Sequence, residues 1–98
     1  MPYFLILADD HPNALDRRLA NRQEHIAYWT GKPGVTKVAG AMLSGEQPSG
    51  SALLVEAEDE AAASALIAED PFSKCGVFAG TPRIIAVRPA IGDWLPQA

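Results

Sequence analysis

The chain has 98 residues, enough for one hydrophobic core and too few for two. Its net charge of −4, from 12 acidic and 8 basic residues without a basic run, argues against nucleic-acid binding and against attraction to an anionic membrane surface. One cysteine excludes an internal disulfide, and no apolar stretch is long enough to span a bilayer.

The chain opens MPYFLILADD, with no positively charged segment before its apolar run. A signal peptide is therefore not expected, and the location reads as cytoplasmic. Tyr3–Ala8 (YFLILA) is nearly continuous in apolar residues, which suits a central strand buried on both faces. Pro12 and Asn13 break it, and Asn13 is the expected N-cap of a helix over about residues 14–30. Gly31, Pro33 and Gly34 end that helix.

Val35–Leu43 reads as a second strand, with Gly40 marking a bulge or a close approach. The polar stretch Ser44–Gly50 (SGEQPSG) reads as a longer hairpin loop, and Ser51–Glu58 as the third strand. Asp59–Asp70 is an alanine-rich helix with acidic residues at its start, where they complement the helix dipole. Pro71–Gly76 is a helical turn or loop, and Arg83–Pro89 the last strand. The tail is expected to pack through Ile91, Trp94 and Leu95.

The order β-α-β-β-α-β predicts an α+β, ferredoxin-like domain over residues 1–98, an antiparallel sheet with both helices on one face. The other sheet face is apolar and uncovered in a monomer, so a homodimer formed through the sheet faces is expected.

Chemistry concentrates on the first helix. At about 100° per residue, Leu15, Leu19, Ile26 and Trp29 share one side. Arg22 falls inside that arc, and Arg18 and His25 lie at its Trp29 edge. An unpaired buried guanidinium is costly. Arg22 must therefore snorkel to solvent or border a polar cleft. Arg18, one turn earlier, repels it slightly, a cost that makes sense if an anion sits between them. Asp9, Asp10, Asp70 or a ligand carboxylate are the candidates.

His25 is the ready proton-transfer group of this face. Asp70 precedes Pro71 and reads as an N-cap. A cap and a site residue can be the same group, so Asp70 is also a natural partner for His25. Ser44 is placed either at a cleft rim, donating a hydrogen bond, or simply in a turn. His11 reads as an exposed loop residue. With two histidines, one cysteine and no ligand-type spacing, no metal site is expected, and no phosphate-binding glycine loop implies a cofactor.

Three segments, Arg17–Trp29 (RRLANRQEHIAYW), Val38–Leu43 (VAGAML) and Ala68–Phe78 (AEDPFSKCGVF), resemble the YCII-related (YciI-like) family. The first carries its Arg-x3-Arg-x2-His pattern, the second its Ala-Gly-rich second strand, the third its Asp-Pro-aromatic-x2-small-Gly pattern. The resemblance implies a dimeric α/β barrel, closed sheet to sheet, with a cleft holding a His–Asp pair. By position these are His25 and Asp70, with Arg18 and Arg22 matching the arginines of the first helix. Cys75 stands where the family usually shows alanine and reads as a small buried hydrophobe rather than a nucleophile.

Two classes of function follow. The first is a small cofactor-independent enzyme, of isomerase or lyase type, in which His25 and Asp70 transfer a proton on a small anionic organic substrate bound by Arg18, Arg22 and Ser44. The second is a non-catalytic dimer that binds a small ligand or assists another enzyme, with His25–Asp70 a structural hydrogen bond. A purely structural ion-pair network on the same residues is the third reading.

Overall fold

The computed structural model describes residues 1–93, so the expected packing of Trp94 and Leu95 lies outside the described residues. The elements run β1 (Tyr3–Asp9), α1 (Leu15–Thr30), β2 (Thr36–Ser44), β3 (Gln47–Glu56), α2 (Glu60–Ala68), α3 (Pro71–Lys74) and β4 (Arg83–Val87). The sheet order is β2-β3-β1-β4, with every neighbouring pair antiparallel. This is the ferredoxin-like arrangement, with a one-turn helix added after α2.

The apolar run of β1 is central, but only one of its faces is fully buried. Phe4, Ile6 and Ala8 point to the helices, while Tyr3, Leu5 and Leu7 alternate to a half-covered face. Across the pairing, Phe4 meets Val55, Ile6 meets Leu53 and Ala8 meets Ser51, so β3 contributes Ser51, Leu53 and Val55 to the same layer. Ala63 and Ile67 of α2, Trp29 of α1, and Phe72 and Val77 around α3 close the core over it.

Several local expectations change. Asn13 does not cap α1: it takes a left-handed conformation, φ 64°, and Ala14 occupies the N-cap without a side-chain hydrogen bond. The hairpin loop is two residues, Gly45 and Glu46, because the ladder zips on through Ser44–Gln47 and Leu43–Pro48. Gly45 supplies the positive φ that such a tight turn requires. The register shifts of β2 fall between Thr36 and Val38 and between Met42 and Leu43, while Gly40 pairs regularly with Ala52. Ile91 is 98% exposed, so it packs on nothing described.

The main difference lies in α1. Its buried stripe is Ala14, Arg18 and Trp29, with His25 half-buried between them. Arg18, His25 and Trp29 fall within about 40° on a helical wheel. Leu19 and Ile26, expected in the core, are 56% and 46% exposed, and Arg22 is exposed as well. The helix is rotated by more than half a turn-step from its apolar arc because polar partners elsewhere in the fold claim Arg18 and His25. Cys75 is half-buried against the core rather than buried. No helix among the described residues is long and apolar enough to cross a membrane.

Candidate functional site

Asp70 is the centre of the site. It ends α2 in an extended conformation, φ −60° and ψ 133°, and caps α3, whose first residue is Pro71. Its Oδ1 accepts from the Phe72 backbone N–H at 2.9 Å, the expected cap bond. Its Oδ2 accepts from the Trp29 indole Nε1 at 2.8 Å. The Nδ1 of His25 lies 2.8 Å from both oxygens. Asp70 is fully buried, and these donors take the place of water around its charge. The cap of α3 and the hydrogen-bond partner of His25 are thus the same side chain.

The His25 ring stacks on Phe72, with centroids 4.0 Å apart and planes 11° from parallel. The guanidinium of Arg18 sits over the same phenyl ring at 4.6 Å. Both groups cannot occupy one face without colliding, so they flank the ring. Arg18 itself is spent on structure: Nε donates to Asp10 Oδ2 at 2.7 Å, Nη2 to Asp10 Oδ1 at 2.9 Å and to Ser51 Oγ at 3.0 Å. Of the four anions considered for the arginines, Asp10 is the one that binds Arg18. Arg22 makes no hydrogen bond or ion pair among the described residues.

A cleft of about 470 Å³ opens between α1 and β2. Arg18, Arg22 and His25 line it on the helix side, Lys32 at the helix end, and Ala39, Gly40 and Ala41 form a floor of small side chains. The lining holds three permanent cations and no carboxylate; Asp10 balances Arg18, which leaves Arg22 and Lys32 without an ion pair among the described residues, in a chain of net charge −4. Its local potential is therefore opposite to that of the molecule and favours an anion. Lys32 also lies over the Tyr28 ring at 4.6 Å. The Tyr28 hydroxyl is pushed up, by burial first and then by Asp70 and Glu69, and donates to the Leu66 carbonyl at 2.6 Å.

The structure thus brings Arg18, Arg22 and His25 to one cleft, with Asp70 buried behind them. It does not bring Ser44, which ends β2 opposite Gln47 and is not part of the cleft wall. His11 is exposed and also outside it. Sequence reasoning missed Trp29 and Phe72 as parts of the site, and Ser51 as the partner of Arg18. Trp29 was findable, since it stands four residues after His25 and shares its stripe. Phe72 is the aromatic of the Asp-Pro-aromatic pattern, two residues after Asp70, a signal that could have found it; Ser51 comes from a distant segment, and nothing local marks it.

The profile of the YCII-related domain matches residues 2–95. An uncharacterized protein of Haemophilus influenzae is 33% identical over 86 residues, covering 79% of this chain and 88% of that one. Among solved structures, 5-chloro-2-hydroxyhydroquinone dehydrochlorinase (TftG) from Burkholderia phenoliruptrix, in complex with 2,5-dihydroxybenzoquinone, is 31% identical with a TM-score of 0.76. That match covers 92% of this chain and 95% of the other. A Bacteriodes thetaiotaomicron protein named for the antibiotic biosynthesis monooxygenases shares the fold, at 24% identity and a TM-score of 0.59 over 98% of this chain and 95% of its own.

Proposed function

Since the chain belongs to the YCII-related domain family, we propose that it is a small enzyme that transfers a proton on an anionic organic substrate held in the α1–β2 cleft. The observation that carries this reading is His25 itself, one nitrogen on the buried carboxylate of Asp70 and the ring at the wall of a cation-lined cleft.

An ionised Asp70 accepts and cannot donate, so Nδ1 of His25 carries a proton, and in the neutral ring Nε2 then keeps a lone pair. Nε2 is then the general base, and Asp70 orients the ring and stabilises the imidazolium that forms. The base takes a proton from a C–H or O–H of the substrate. The electron pair left behind moves onto a conjugated oxygen, where Arg22 offsets the growing negative charge. In an isomerisation the imidazolium returns the proton to another carbon. In an elimination the pair expels a leaving anion, and the proton passes to water. The chemistry named for the dehydrochlorinase neighbour is of this second kind. His25 and Asp70 are the proposed catalytic residues, and Arg22 the proposed substrate-binding residue. The reading includes a homodimer joined through the half-covered sheet face and needs no cofactor.

The test is chloride release from chlorinated hydroxyhydroquinones, followed together with ligand binding. Turnover by the wild type should fall by about 10²-fold or more in His25→Ala with binding retained, and Arg22→Ala should weaken binding. If the wild type binds such anions and never turns them over, the protein is a binding module. Arg22 and Lys32 supply the positive charge for that role.

A further inference from the structure

Asp70 receives one donor that a helix cap does not need and that the His25 contact does not supply. The indole of Trp29 is 2% exposed, yet its Nε1 reaches Oδ2 at 2.8 Å. His25 and Trp29 are i and i+4 on α1, so one helical turn places two donors on one carboxylate. The two oxygens are thereby matched. Each takes one neutral N–H, from Phe72 or Trp29, and the imidazole nitrogen is shared between them at equal distance.

We propose that Trp29 is a positioning residue that sets the proton affinity of His25 through Asp70. A neutral N–H on Oδ2 draws off part of the carboxylate's negative charge. Asp70 then pulls less strongly on an imidazolium, so the proton that His25 takes is also more easily released. A base that must do both within one turnover works best in that condition. The inference rests on the reading of His25 as the acid–base group. The other charged and titratable groups around the His25–Asp70 pair are Arg18 with its partner Asp10 beside Phe72, Arg22 and Lys32 in the cleft, and Tyr28, which feels both Asp70 and Glu69; β2 brings Thr36, Ala39, Gly40 and Ala41 to that cleft.

The experiment is an NMR titration of the His25 ring in the intact protein, in wild type, Trp29→Phe and Asp70→Asn. Trp29→Phe keeps an aromatic ring and removes the donor. The expected result is a midpoint about half a unit higher in Trp29→Phe, roughly a threefold gain in proton affinity, and a lower midpoint in Asp70→Asn. A purely structural Trp29 lowers the melting temperature and leaves the His25 midpoint in place, and an unchanged or lowered midpoint overturns the proposal. An unmoved midpoint in Asp70→Asn instead removes the His–Asp reading itself. If Trp29→Phe does not fold, the wild-type Trp29 indole proton is followed across the same titration. It should shift with the His25 midpoint, and an indole signal that stays still overturns the proposal.

Discussion

Arg18 holds Asp10 by two parallel hydrogen bonds, Nε to Oδ2 at 2.7 Å and Nη2 to Oδ1 at 2.9 Å, with both side chains over nine-tenths buried. The pair joins the start of α1 to the end of β1, and Nη2 reaches on to Ser51 of β3. It fixes the helix over the sheet and so fixes where His25 stands. Removing one partner leaves a buried charge without compensation. Arg18→Met is therefore expected to lower stability by about 3–5 kcal/mol, read from urea unfolding. Adding Asp10→Asn should restore a clear part of that loss, because the orphaned charge is gone. A double variant as unstable as the single one would mean that the packing of the arginine stem matters more than its charge.

Gly50 is the second pressure point. A β-carbon there would collide with the Ala8 carbonyl oxygen and the Met42 side-chain tip, and the first is backbone of the central strand. The backbone cannot move without disturbing the β1–β3 ladder. Gly50→Ala should cost about 1–3 kcal/mol in the same assay, whereas Gly40→Ala, whose β-carbon meets nothing within 4 Å, should be far milder.

The Tyr3–Glu56 contact gives a pH prediction. A hydrogen bond from Tyr3 is the main reason that the Glu56 carboxyl lies below its ordinary value; burial opposes it, and Lys37 at 3.4 Å adds to it. Glu56 conversely pushes the Tyr3 hydroxyl up. A carboxyl lowered by folding contributes stability above its unfolded value, and that contribution is lost as pH falls through the folded one. The raised Tyr3 hydroxyl contributes below its unfolded value and loses it as alkaline pH rises through the folded one. Tyr3→Phe should move the Glu56 carboxyl up, seen in its side-chain carbon NMR titration, and flatten the acid limb of stability. No movement would mean that Lys37 and the N-terminal amine hold the carboxylate without Tyr3.

The half-covered sheet face tests the assembly. Leu5 lies at its centre between Leu54 of β3 and Ile85 of β4, with Val38 60% exposed on β2. Light scattering of the wild type should give twice the chain mass. Leu5→Lys places a charge in that face and should yield monomers with the far-ultraviolet circular dichroism unchanged. A wild type that is monomeric at micromolar concentration would remove the homodimer from the proposed function.

The order of elements, the central place of β1 and the capping role of Asp70 were legible from residue pattern alone. Strand alternation, the Asp-Pro dipeptide and the Gly-Pro stop after α1 are local signals, and local signals survive in a sequence. Arg22 and His25 were legible as polar groups within and beside the apolar arc of α1, and the resemblance of three segments to one family paired His25 with Asp70. What the sequence could not determine was the rotation of α1. Its apolar arc favoured Leu19 and Ile26 as core residues, but the fold turns Arg18 and Trp29 inward and leaves both aliphatics exposed. The physical reason is that buried polar groups must be paired, and the partners of this helix, Asp10, Ser51, and Asp70 with the Phe72 ring, come from three other parts of the chain. Only the tertiary structure gathers them, and in doing so it ties up the Arg18 guanidinium on Asp10 and Ser51 while Arg22 keeps no such partner among the described residues.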